Sequence, residues 1–87
     1  MPAIMANDTL IEVLDHMQES QERYGDFAST HEALGVAIEE WDELRAAIQA
    51  NAIESVREEA IDLAAVLIRL ANQCRMSKRM MERSVKR

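Results

Sequence analysis

Glu58-Glu59-Ala60-Ile61-Asp62-Leu63-Ala64-Ala65-Val66-Leu67-Ile68-Arg69-Leu70-Ala71 is the stretch from which the fold follows. From Ala60 to Ala71 the run is apolar except at Asp62 and Arg69, which reads as a helix spanning about Glu54 to Cys74. Ser55 followed by Glu58 has the spacing of a capping box at its start. At 100° per residue, Glu59 falls among Val56, Leu63, Val66 and Leu70, so a carboxylate is set into an apolar surface. An unpaired charge there costs several kcal/mol, on the order of the penalty for a buried ion, and it needs a partner.

Working outward, Asn51 is the stop of a preceding helix that runs from about Thr30 to Ala50, with Ser29 and Glu32 as its capping box. On a wheel its Leu34, Ala37, Ile38, Trp41, Leu44 and Ile48 share one arc, with Arg45 the polar residue inside it. Glu32, Glu39, Glu40 and Glu43 occupy the other side. Upstream, Leu10, Val13, Leu14, Met17 and Tyr24 recur at helical spacing, which predicts a helix over about Asp8 to Tyr24, with Thr9 and Glu12 as a box and Gly25-Asp26 as the stop. A short basic segment from Ser77 to about Val85 predicts a weaker fourth helix.

The 87 residues allow one domain, spanning 1–87, with a small core. Three aromatic residues and abundant Ala, Leu, Ile, Met and Glu favour helix over sheet, so the expected fold class is all-α. The helix holding Asp62 is apolar around most of its circumference, and so small a chain has little with which to cover it. The expectation is therefore a helical bundle completed by oligomerisation, as a homodimer or homotetramer. A formal charge of -6 argues against nucleic acid as a partner, because backbone binding needs a basic face. No stretch approaches a membrane span and the N-terminus lacks the pattern of a signal peptide. The one cysteine, Cys74, excludes an internal disulfide and a cysteine-based zinc site, and is expected to be a buried small hydrophobe; a reducing, cytoplasmic location follows as the default.

Chemistry enters with the acids. Glu40 with Glu43, and Glu59 with Asp62, lie three apart, so each pair projects two carboxylates from one side of a helix. A short connection makes the two helices pack antiparallel. At about 1.5 Å per residue, Glu43 lies roughly 10 Å before the end of one helix and Asp62 roughly 10 Å after the start of the next. Glu40 and Glu59 then fall within about one turn of that level. Four carboxylates converging without Cys or suitably spaced His suit a hard cation, Mg²⁺ or Mn²⁺, better than zinc. Mg²⁺ reaches out to phosphates, so the implied chemistry is hydrolysis of a phosphate ester or anhydride. Neither His16 nor His31 follows a Glu at the spacing that di-iron bundles use.

Glu40-x-x-Glu43, a fifteen-residue interval and Glu59-x-x-Asp62 together resemble the paired acidic motif of the MazG-like, all-alpha nucleoside triphosphate pyrophosphohydrolases. The framing is similar too: Leu34-Gly35-Val36-Ala37-Ile38-Glu39 before the first pair, and Leu63-Ala64-Ala65-Val66-Leu67-Ile68 after the second. The resemblance covers roughly His31 to Asn72, and residues 22–27 look like the lead-in of small phage and bacterial members. It implies cleavage of a nucleoside triphosphate between its alpha and beta phosphates, with Glu40, Glu43, Glu59 and Asp62 as Mg²⁺ ligands. Glu39 is then the candidate for orienting a water or taking its proton. Arg75, Lys78 and Arg79 are candidates for the phosphate tail, against the plainer role of cations near a helix C-terminus. His31 is a candidate base or phosphate contact, against an ordinary surface imidazole. Trp41 reads as core or subunit interface before base-stacking platform, and Met76, Met80 and Met81 as packing groups.

The sequence leaves two rival readings open. One is a non-catalytic helical interaction module with the same fold, whose acids are solvated faces or subunit ion pairs. The other keeps the chemistry and changes the substrate to a deoxyuridine nucleotide or phosphoribosyl-ATP, because the acids read phosphate and metal, not the base.

Overall fold

The structure, a computed structural model, describes the backbone of residues 6–85 and the side chains of residues 7–77. It is all-helical, in the order α1 (Ala6–Tyr24), α2 (Thr30–Gln49) and α3 (Ile53–Val85). The turns follow from local chemistry. Gly25 takes φ +72° and donates its N–H to the Gln21 carbonyl at 2.9 Å, ending α1 in a conformation glycine adopts without strain. Ser29 is extended, and its Oγ accepts from the Glu32 N–H at 3.1 Å. Glu32 reaches back, but to the Ala28 N–H at 3.1 Å, one residue before the position a standard capping box uses. Asn51, at φ 56°, closes α2: its N–H bonds the Ile48 carbonyl and the next N–H, from Ala52, bonds that of Ala47. This is the Schellman arrangement, which leaves few α2 carbonyls without a partner.

Four local expectations are corrected. α1 starts at Ala6, so Thr9 lies inside the helix, and Glu12 pairs with Arg57 instead of closing a box. α3 starts at Ile53, which puts Ser55 within its first turn and not at the cap. The expected fourth helix is the continuation of α3, 33 residues long, because neither Gly nor Pro interrupts the chain between Ile53 and Val85. Cys74, expected to be buried, is exposed.

α1 and α2 both pack on α3 and, among the described residues, not on each other. The ties between α1 and α3 ascend together: Glu12 with Arg57, His16 with Asp62, and Gln21 with Arg69. α1 therefore runs parallel to α3, and α2 runs antiparallel. The turn between α1 and α2 is fixed by Gln73, whose Oε1 accepts from the Phe27 N–H at 2.9 Å while its Nε2 donates to the Phe27 carbonyl at 2.8 Å. One amide side chain thus replaces a missing backbone partner on both sides of a residue.

The core is thin. Phe27, Ala33 and Val66 form its centre, flanked by Val36, Ala37 and Leu70, and no large side chain among the described residues is fully buried. A chain of this length packed as a sphere would have a radius of gyration of about 12 Å. The observed 15.7 Å, in a slab of 55 × 29 × 19 Å, belongs to an open layer with α3 as its long axis. Of the predicted apolar arc of α2, Ala37 and Leu44 are partly buried, Ala37 against the core, whereas Leu34, Ile38, Trp41 and Ile48 are half exposed.

Candidate functional site

With α3 as floor and α1 and α2 as walls that do not meet, a groove of about 490 Å³ opens between them. His16 comes from α1, Glu39 and Glu40 from α2, Asp62 and Arg69 from α3, and Phe27 from the turn that closes one end. Antiparallel packing of α2 on α3 brings the predicted acids together. Glu40, Glu43 and Glu59 each offer a carboxylate oxygen, and the three atoms lie within 4.8 Å of one another. Asp62 is close enough to raise the affinity of both Glu40 and Glu59 for a proton. It is held aside, however, by His16, whose Nε2 stands 2.6 Å from Asp62 Oδ1.

The electrostatics are those of crowded, partly buried anions. Burial is the main cause that lifts the Glu40 carboxyl above its usual range; the charges of Glu43 and Asp62 add to it, His16 opposes it, and Glu39 adds a little. Glu59 is pushed up to about 7, first by burial, then by a hydrogen bond shared with Glu43, then by the charges of Glu43, Asp62 and Glu40. Glu59 is thus the carboxylate that the apolar surroundings read from the sequence single out. Its Oε2 and the Oε2 of Glu40 are buried and have no hydrogen-bond partner. Two orphaned carboxylate oxygens beside a third are an unfavourable arrangement unless a proton or a cation joins them. All donors are hard oxygens, which fits Mg²⁺ or Mn²⁺ and not a thiolate-seeking metal.

Glu39 is exposed and lines the groove next to Glu40, within reach of a molecule bound there. His31 and Arg75 are exposed and lie outside the groove lining. Arg75 stands thirteen residues beyond Asp62, about 20 Å along α3. The side chains of Lys78 and Arg79 lie outside the described residues. Two residues that the sequence reading passed over enter the site. His16 lacks a Glu three positions before it, yet it meets Asp62 from another helix, and its Nδ1 is buried without a partner. In the sequence Arg69 is a break in an apolar run, and that break is the available signal.

Comparison with protein-family models, with curated proteins and with solved structures finds no match for this chain. No helix among the described residues is long and apolar enough to cross a membrane.

Proposed function

We propose that the protein is a nucleoside triphosphate pyrophosphohydrolase, dependent on Mg²⁺ or Mn²⁺, that adds water across the alpha–beta phosphoanhydride to release a monophosphate and pyrophosphate. The observation that carries this reading is the convergence of Glu40, Glu43 and Glu59 within 4.8 Å, with two of their oxygens buried and unpartnered, beside a groove of nucleotide size. The resemblance of the acid motif to the MazG-like enzymes supplies the bond that is cleaved. Glu40, Glu43 and Glu59 would hold the cation, and Asp62, bonded to His16 in this structure, would be the fourth ligand if released. A bound cation would neutralise phosphate charge and acidify a water. Glu39, exposed and lining the groove beside Glu40, would orient that water and accept its proton. Nucleotide-pool cleaning, with the base preference open, is the physiological sense of such an activity.

The active form we propose is a homodimer or homotetramer. Leu34, Ile38, Trp41 and Ile48 follow one another at intervals of four, three and seven, the stripe of a helix seam, and each is about half exposed. A second copy laid on this stripe would cover it and set further helices against α2, making a four-helix seam. The same stripe is what favours the second reading, a non-catalytic interaction module in which Asp62 remains tied to His16. A panel of ordinary and modified nucleoside triphosphates, assayed for pyrophosphate release with Mg²⁺, Mn²⁺ or chelator, separates the two. Metal-dependent release abolished by Glu43→Gln and by Asp62→Asn, in folded proteins, supports the enzyme. No release from any substrate, with no stabilisation by metal, supports the module.

A further inference from the structure

We propose that Arg69 is an anion receptor in the groove and takes the phosphate chain of the bound nucleotide at the end opposite the acid cluster; the identity of the anion rests on the pyrophosphohydrolase reading, its binding by Arg69 does not. Arg69 is the only charged residue among those described that is buried, at 9% exposure. Its contacts are all neutral. Nη2 donates to the Gly25 carbonyl at 2.9 Å, Nε donates to Gln21 Oε1 at 3.3 Å, and the guanidinium lies over the Phe27 ring, 4.5 Å from its centre. Among the described residues no carboxylate comes within ion-pair distance of it. A guanidinium has five N–H donors, and these bonds use two. A buried cation with neutral contacts and unused donors is costly to fold around unless an anion completes it.

Its location says which anion. Arg69 follows Asp62 by seven residues, two turns of α3, so both stand on one face about 10 Å apart along the axis, and both line the same groove. Its bonds to Gln21 and to the Gly25 carbonyl, and its place over Phe27, hold the guanidinium at the turn end of the groove, where α1 finishes, with the acids at the other end. A ligand with negative charge along its length would meet the metal cluster at one end and Arg69 at the other. A polyphosphate chain has that form, and the acidic remainder of the groove (Glu19, Asp26, Glu32, Glu39) disfavours anions that reach neither anchor. Phe27, itself pinned by Gln73, and the Gly25 carbonyl fix the plane of the guanidinium, so the receptor is set before the ligand arrives.

The test uses the full chain and two probes, Mn²⁺ alone and inorganic tripolyphosphate in the presence of Mn²⁺, titrated by calorimetry. Arg69→Gln is expected to weaken tripolyphosphate about a hundredfold and Arg69→Lys about tenfold, the loss of a charge-assisted, bidentate contact, while both leave the affinity for Mn²⁺ alone within about twofold. Arg23→Gln, which removes an exposed cation from the same groove, controls for general charge. Arg69→Lys decides the matter if Arg69→Gln does not fold. Tripolyphosphate binding as in wild type by a folded Arg69 variant would overturn the proposal, as would an equal loss for Mn²⁺ alone, which would make Arg69 a clasp for the turn. Failure of wild type to bind Mn²⁺, with tripolyphosphate still bound through Arg69, would sink the enzyme reading and leave this one standing.

Discussion

Replacing Glu59 by Gln should make the metal-free protein more stable and the metal-bound protein less so, a crossing that few surface substitutions produce. Two unit charges 4.8 Å apart, the outer limit of the Glu40–Glu43–Glu59 cluster, repel by about 0.9 kcal/mol at the dielectric of water and about 3.5 kcal/mol at an effective dielectric of 20. Glu59 is partly exposed, so screening favours the lower end, about 1 kcal/mol, which in a domain of this size raises Tm by roughly 4–8 °C. The pH dependence has a definite sign. Glu59 is pushed up to about 7 in the folded protein from an ordinary 4.5, so between those values the folded state holds a proton that the unfolded state has released. The contribution to stability is therefore greatest below about pH 4.5 and is lost as pH rises through about 7. With Mg²⁺ at about a hundred times its Kd, wild type gains about 2.7 kcal/mol and the variant much less. Thermal unfolding at pH 8 in chelator and in Mg²⁺ measures both arms. A Glu59→Gln protein that melts below wild type in chelator, and that responds to Mg²⁺ as wild type does, would refute the argument.

Three further outcomes follow from the same structure. Gln73→Leu removes both bonds to Phe27 and should lower stability by about 2 kcal/mol, or Tm by roughly 8–16 °C; a shift within error would show that the turn does not depend on this amide. Asn51→Val, forced into φ 56°, should lose roughly 1–2 kcal/mol in urea unfolding while Asn51→Gly loses none, and equal midpoints for the two would contradict the left-handed cap. Wild type should sediment as a dimer or tetramer at micromolar concentration and Trp41→Glu as a folded monomer; a monomeric wild type would remove the seam from the account.

The helices were legible where apolar spacing and a turn residue agree. Gly25 and Asn51 ended α1 and α2 as read, because each takes the left-handed conformation that stops a helix. Ser29 capped α2 as read, but Thr9 and Ser55, with the same spacing to a Glu, did not cap, since each helix had already begun upstream. A capping box marks a favourable place to start, and tertiary packing decides whether the chain starts earlier. The long α3 was divided at a change from apolar to basic composition, although charge changes a helix's surroundings and does not break its backbone.

Within the site, the approach of Glu40, Glu43 and Glu59 was legible because i, i+3 spacing is local and the antiparallel arithmetic needs only a short connection; that Asp62 bonds His16 instead of joining the three was not. His16 and Arg69 were not, because their partners Asp62 and Gln21 lie 46 and 48 residues away in sequence. A polar residue within an apolar stripe was also ambiguous. Arg45 and Arg69 both interrupt one, yet Arg45 is exposed and paired with Asp42 at 3.3 Å, whereas Arg69 is buried under Phe27. Which of two such residues is functional depends on what the neighbouring helix brings opposite it.

The most direct test of the central claim is the identity of the products, followed by phosphorus NMR of a nucleoside triphosphate incubated with the protein and Mg²⁺. The account predicts monophosphate and pyrophosphate appearing together, only with metal, and not with Glu43→Gln. Diphosphate with free phosphate, or an unchanged triphosphate under every metal condition, would contradict it.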